Sequence, residues 1–87
     1  MTTKAPSGVR PAAEQSQERI AYAAVADIPV VDPHDVDRLG YCVWIWLTTR
    51  RDSLEQSVRN AGARLKIADD EAVRIIRTRL EAQGVAV

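Results

Sequence analysis

Ala72-Val73-Arg74-Ile75-Ile76-Arg77-Thr78-Arg79-Leu80-Glu81-Ala82-Gln83-Gly84-Val85-Ala86-Val87 reads as an amphipathic helix, a glycine stop and the first step of a strand. At roughly 100° per residue, Ala72, Val73, Ile76 and Leu80 fall on one side of such a helix, which turns Glu71, Ile75, Thr78 and Ala82 outward with Arg74 beside them. Gly84 stands where a helix is commonly ended by a residue of positive φ. Just upstream, Asp69, Asp70 and Glu71 put carboxylates at the positive end of the helix dipole. Asp70 to Arg74 adds the favourable i, i+4 order. These signals predict a helix over 69–83.

Working outward, Lys66-Ile67-Ala68 is a short link, and before it Ser53-Leu54-Glu55-Gln56 fits a capping box. Leu54, Val58, Ala61 and Leu65 then repeat at i, i+4, i+7 and i+11, predicting a helix over 53–65. Asp32 as N-cap, Pro33 at the first helical position and Asp35 in the first turn open another helix over 33–50. Its apolar positions are Val36, Leu39, Val43 and Trp46 or Leu47. Residues 43–47, Val-Trp-Ile-Trp-Leu, also satisfy a strand by propensity, and the period of so short a run cannot decide, but the cap and the flanking pattern favour helix. In the helical reading residues 41–47 are apolar nearly all round, which makes this the most enclosed helix. Trp46 then continues the buried face while Trp44 is more exposed. Pro29 interrupts the chain at 27–31. Ahead of it residues 12–26 read as a helix with Ala13, Ser16, Ile20 and Ala24 near one face.

Composition limits what such a chain can do. Its 87 residues suffice for one domain, read as residues 12–87, behind a polar tail at 1–11 that is expected to be disordered. Twelve basic side chains balance twelve acidic ones, so no whole-chain positive field marks a nucleic-acid partner. Residues 48–87 alone hold eight bases against six acids. The single Cys42 excludes an intramolecular disulfide framework and points to a small buried hydrophobe in a reducing compartment. No stretch reaches the roughly twenty apolar residues of a membrane span, and the N-terminus lacks a secretory pattern, so the expectation is a cytoplasmic protein that does not engage membranes.

Catalytic chemistry finds little support. His34 is the sole histidine and has no serine or cysteine at a useful spacing, and one Cys with one His is too few for the usual zinc site. Asp52-Ser53-Leu54 resembles the modified serine of acyl carrier proteins, but Arg50 and Arg51 precede it where carriers are acidic. A non-enzymatic protein without cofactor, metal or small-molecule substrate is expected.

Helices at 33–50, 53–65 and 69–83, with Arg79-Leu80-Glu81-Ala82-Gln83-Gly84 leading into short apolar residues, have an order that resembles the winged-helix DNA-binding domains. The likeness covers residues 33–87. It implies an all-α, three- to four-helix bundle of helix-turn-helix/winged-helix type with a short C-terminal strand stub. By the same resemblance the chain acts as a small transcriptional regulator on duplex DNA, its last helix projecting into the major groove. Arg50, Arg51, Arg64, Lys66, Arg74 and Arg77 would serve as phosphate anchors, which position a protein without reading sequence.

A rival reading comes from the outward face of the last helix. Base readout needs donors and acceptors there, whereas Ile75 and the acidic first turn supply neither. Ile75, Thr78 and Ala82 instead make a narrow apolar strip, and Trp44, Trp46, Tyr41 and Tyr22 offer more aromatic area than so small a core need enclose, which suits a homodimer or another protein because tryptophan and tyrosine bury much area at little entropic loss. In that reading the chain is a helical interaction module with no nucleic-acid activity. The N-terminal helix is a third candidate to cover Ile75.

Overall fold

A computed structural model of the chain describes residues 12–87, with side chains from Ser16 onward, so the tail read at 1–11 lies outside the described residues. The architecture is all-α: α1 (Ala12–Val25), α2 (Asp35–Thr49), α3 (Leu54–Asn60) and α4 (Asp69–Ala82). Helices α1 and α3 each pack against both α2 and α4. No helix among the described residues is long and apolar enough to cross a membrane.

One core joins all four elements. It takes Ala21, Ala24 and Val25 from α1, Leu39, Val43, Trp46 and Leu47 from α2, Leu54 and Val58 from α3, and Val73, Ile76 and Leu80 from α4. The inward face of α4 is the one its periodicity predicts, with Ala72, Val73, Ile76 and Leu80 all buried. For α1 the predicted face is rotated from the real one. Ser16 is exposed and Ile20 half-buried, while Ala21, Ala24 and Val25 face the core. The alanine-rich sequence offers little contrast from which to choose a face.

Local chemistry sets the helix ends. At α4 the amide of Gly84 donates to the Glu81 carbonyl and that of Val85 to Leu80, both at 3.0 Å, the paired reach-back of a Schellman motif. Gly84 has φ 86°, a conformation that L side chains rarely adopt. This motif also corrects the expected strand stub, since the Val85 amide is consumed in ending the helix and residues 85–87 carry no regular structure. Arg79 caps a different helix from outside. Its Nη1 donates to the carbonyls of Ala24 and Ala26, groups left open where α1 ends.

Three further expectations are corrected. Helix α2 starts at Asp35, because Asp32 instead organises a preceding turn: its Oδ1 accepts the His34 amide at 3.0 Å, and its carbonyl accepts the Asp35 amide at 2.8 Å. The Ser53 Oγ accepts the Gln56 amide at 3.0 Å as a capping box requires, but the Gln56 side chain turns forward to Asn60, so the reciprocal half is not made. Helix α3 stops at Asn60 instead of continuing to residue 65. Gly62 has φ 64°, and beyond it the chain runs alongside the segment that follows α1.

That pairing is small but nonlocal. Val30 and Leu65 form an isolated antiparallel bridge, in which the Val31 amide donates to the Arg64 carbonyl and the Lys66 amide to the Pro29 carbonyl. Asp35 secures it. The carboxylate is buried, and its Oδ2 accepts the Arg64 amide at 3.0 Å, fixing the α3–α4 connection to the start of α2. Eight residues, 61–68, therefore join α3 to α4 where the sequence suggested a three-residue link.

Candidate interaction surface

Residues 41–47 are helical, as the cap and flanking pattern favoured, but they are not enclosed all round. With Leu39, Val43, Trp46 and Leu47 turned to the core, the opposite side of α2 presents Asp37, Tyr41, Ile45 and Thr48 as one stripe. Tyr41 is 52% exposed and Ile45 39%, while Cys42 and Trp44 flank them half-buried. On the α3 side Tyr41, Cys42, Ile45 and Trp46 line a shallow groove of about 140 Å³ with Ser57 and Asn60. On the α1 side the stripe meets an aromatic corner.

The corner is built on Gly40. The Tyr22 ring from α1 lies so close over this residue that an added Cβ would fall 2.4 Å from its Cδ1 and 2.6 Å from its Cε1. Tyr41 and Trp44, one and four positions further along α2, meet edge to face with ring centroids 6.0 Å apart and planes at 82°. Burial pushes the Tyr22 hydroxyl above its usual pKa, and the carboxylates of Glu18 and Asp37 add to the rise. Two acids therefore stand close enough to be felt at this aromatic surface. Burial also raises the Cys42 thiol, which favours its unreactive protonated form.

The six predicted phosphate anchors do not converge. Arg64 sits beside the start of α2, its backbone amide donating to the Asp35 carboxylate, with Lys66 two residues on, whereas Arg50 and Arg51 follow the far end of that helix, about 20 Å away at 1.5 Å per residue. Arg50 is exposed but folded back along the surface. Its guanidinium lies 4.3 Å over the Trp46 ring and its Nη2 donates to the Ala86 carbonyl at 2.9 Å. Arg77 pairs with Glu55 at 3.2 Å, and Arg74 is exposed one turn earlier on α4. Arg74 and Arg77 share one groove, which Glu55 and Asp70 line with them, and Arg50 and Arg77 share another, which Asp52 and Glu55 line.

The residues of the predicted protein interface also separate. Thr78 and Ala82 are exposed on α4, but Ile75 is half-buried against the core, a correction to its outward placement. It shares an i, i+4, i+8 row with Arg79 and Gln83, and both of these donate to carbonyls at or just beyond α1. The N-terminal helix thus lies along that edge. Trp44 belongs to α2, which does not pack directly against α4. Sequence reasoning offered Tyr41 for an interface but missed Ile45 as its exposed companion, although their i, i+4 spacing opposite Leu39, Val43 and Leu47 was the available signal.

One ion pair makes a pH prediction. Glu55 is held below its ordinary 4.5 chiefly by accepting from its own backbone amide at the start of α3, with the Arg77 guanidinium adding to the effect. Because its folded pKa is depressed, the stabilisation is present above the unfolded value and is lost as pH falls through the folded one. Melting temperature measured downward from pH 5 should fall, and less steeply in Arg77→Gln. Parallel curves would show that the pair adds nothing.

Among the described residues no three His, Cys, Asp or Glu side chains converge as metal ligands. No protein-family model, curated protein or solved structure matches this chain.

Proposed function

We propose that this protein is a non-enzymatic helical interaction module that docks another protein along the outer face of α2. The observation that carries this reading is the exposure of Tyr41 and Ile45 on a helix whose other side forms the core. Large apolar side chains in water on a rigid element, flanked by a half-buried tryptophan, have the composition of an interface centre. A photo-crosslinking residue at position 45 should yield adducts in cells, and one at Thr78 on α4 should not. Equal adducts at both positions, or none at 45, would defeat the proposal.

A winged-helix regulator acting on DNA is the second reading. It is favoured by the exposed Arg51, Arg64, Lys66 and Arg74, which could contact phosphate from separate points. Titration with random duplex DNA tests it, since binding through such anchors weakens steeply as salt rises. Absence of binding at low salt would reject it.

A further inference from the structure

We propose, resting on the docking surface just described, that the protein docked there is a second copy of this chain, laid antiparallel along the outer stripe of α2. The stripe does not select a partner by one sign of charge, since Arg38 stands beside Asp37 near its start and Asp52 beside Arg51 past its end, all four exposed. Its two ends are matched to each other instead. Arg38 lies one turn before Cys42, on the edge that faces α3, and Tyr41, Cys42, Ile45 and Thr49 continue that edge along the groove that Asp52 also lines. About 17 Å of helix separates Arg38 from Thr49, at 1.5 Å per residue, so a base stands at one end of the groove edge and an acid at the other. The fold uses neither charge. Arg50, Arg77 and Arg79 are held by carbonyl or carboxylate partners, whereas among the described residues Arg38 and Asp52 form no hydrogen bond or ion pair.

An edge of this kind is complementary to itself when reversed. In an antiparallel pair the two-fold axis runs perpendicular to both helices, so the α3-facing edges of the two copies lie on the same side and every contact is made twice. With the axis level with Ile45, Arg38 of each copy meets Asp52 of the other. The two Ile45 side chains then meet at the centre, each Tyr41 lies against Thr49 of the opposite copy, and the exposed apolar area of both copies leaves water together. A parallel pairing would instead set Arg38 against Arg38 and Asp52 against Asp52, a juxtaposition of like charges that opposes association.

Sedimentation equilibrium of the full chain should show a reversible equilibrium between monomer and dimer. Arg38→Asp and Asp52→Arg each set like charges together at two symmetric places, so either alone should raise the dimer dissociation constant by about tenfold. The two substitutions combined exchange the charges and should return the constant close to that of the parent. Both positions are exposed, so melting should change little in all three variants. A parent that stays monomeric at millimolar concentration, a dimer indifferent to both single changes, or losses that the double exchange fails to recover would overturn the inference. Photo-crosslinking from position 45 separates it from the docking reading. Adducts of twice the chain mass support both. Adducts formed with a different protein alone defeat the self-pairing and leave the docking surface standing, whereas absence of adducts from position 45 defeats both.

Discussion

Trp46→Ala should abolish cooperative unfolding, or leave a transition so shallow that no native baseline survives at room temperature. The side chain is only 6% exposed, sits in the core beside Leu47 and Leu54, and supports the Arg50 guanidinium 4.3 Å above its ring. Truncating a buried tryptophan costs about 3 to 5 kcal/mol, and an exposed cation over a ring contributes roughly another 0.5 to 1. A domain of this length has a total stability of roughly 4 to 13 kcal/mol. The loss is therefore a large share of what is available. Trp44→Ala should be milder, because that residue is half-buried and meets Tyr41 at its edge. Urea unfolding followed by circular dichroism distinguishes the two, and the reverse ranking would mean that the helical phase of α2 is misread.

The ranking of the tryptophans follows from periodicity, and the same is true of whatever in this fold is governed by neighbours along the chain. The inward residues of α4, the Ser53 cap and the Gly84 stop all rest on groups within a few positions of one another, and each forms as its local pattern predicts. What escaped the sequence depends on distant partners. Leu65 continues the apolar row of α3, and it does pack against the core, but it gets there through a bridge to Val30 after the helix has ended. The Gly62 that ends α3 was a readable stop. Asp35 has the look of an ordinary helix-start carboxylate until the Arg64 amide, far along the chain, arrives to bury it. Arg79 likewise has no local mark of its role in capping α1.

The candidate surface divides along the same line. Charge counts along the second half of the chain suggest an anchor set, yet folding sends Arg50 onto Trp46, Arg77 onto Glu55, and Arg64 to the opposite end of α2 from Arg50. Their grouping is a tertiary property that linear spacing does not encode. The stripe of Tyr41 and Ile45 lies on one helix, and was legible in principle once Leu39, Val43 and Leu47 were given the core. It was obscured because an apolar run reads as enclosure on every side, when the number of packing helices around α2 is insufficient to cover it.

Gly40→Leu should strongly destabilise the fold, toward the upper end of the roughly 1 to 3 kcal/mol typical of overpacking, because even the first added carbon would fall 2.4 Å from the Tyr22 ring. The ring cannot yield merely by bending a flexible tip, since Cγ, at the root of the ring, is itself only 3.1 Å from that carbon. Gly40→Ala gives the sharper test. Alanine in a helix interior gains about 1 kcal/mol over glycine, so overlap and propensity act in opposite directions at this position. With Tyr22 in place the overlap should win and the variant should melt below the parent. In a Tyr22→Ala background the obstruction is gone, and the same Gly40→Ala change should become stabilising by about 1 kcal/mol. That reversal of sign in a double-mutant cycle would report the Tyr22–Gly40 contact directly, separately from any general damage done by removing the tyrosine. If Gly40→Ala stabilises the protein with Tyr22 intact, α1 and α2 are not held as close as described, and the aromatic corner built on their contact loses its geometry with them.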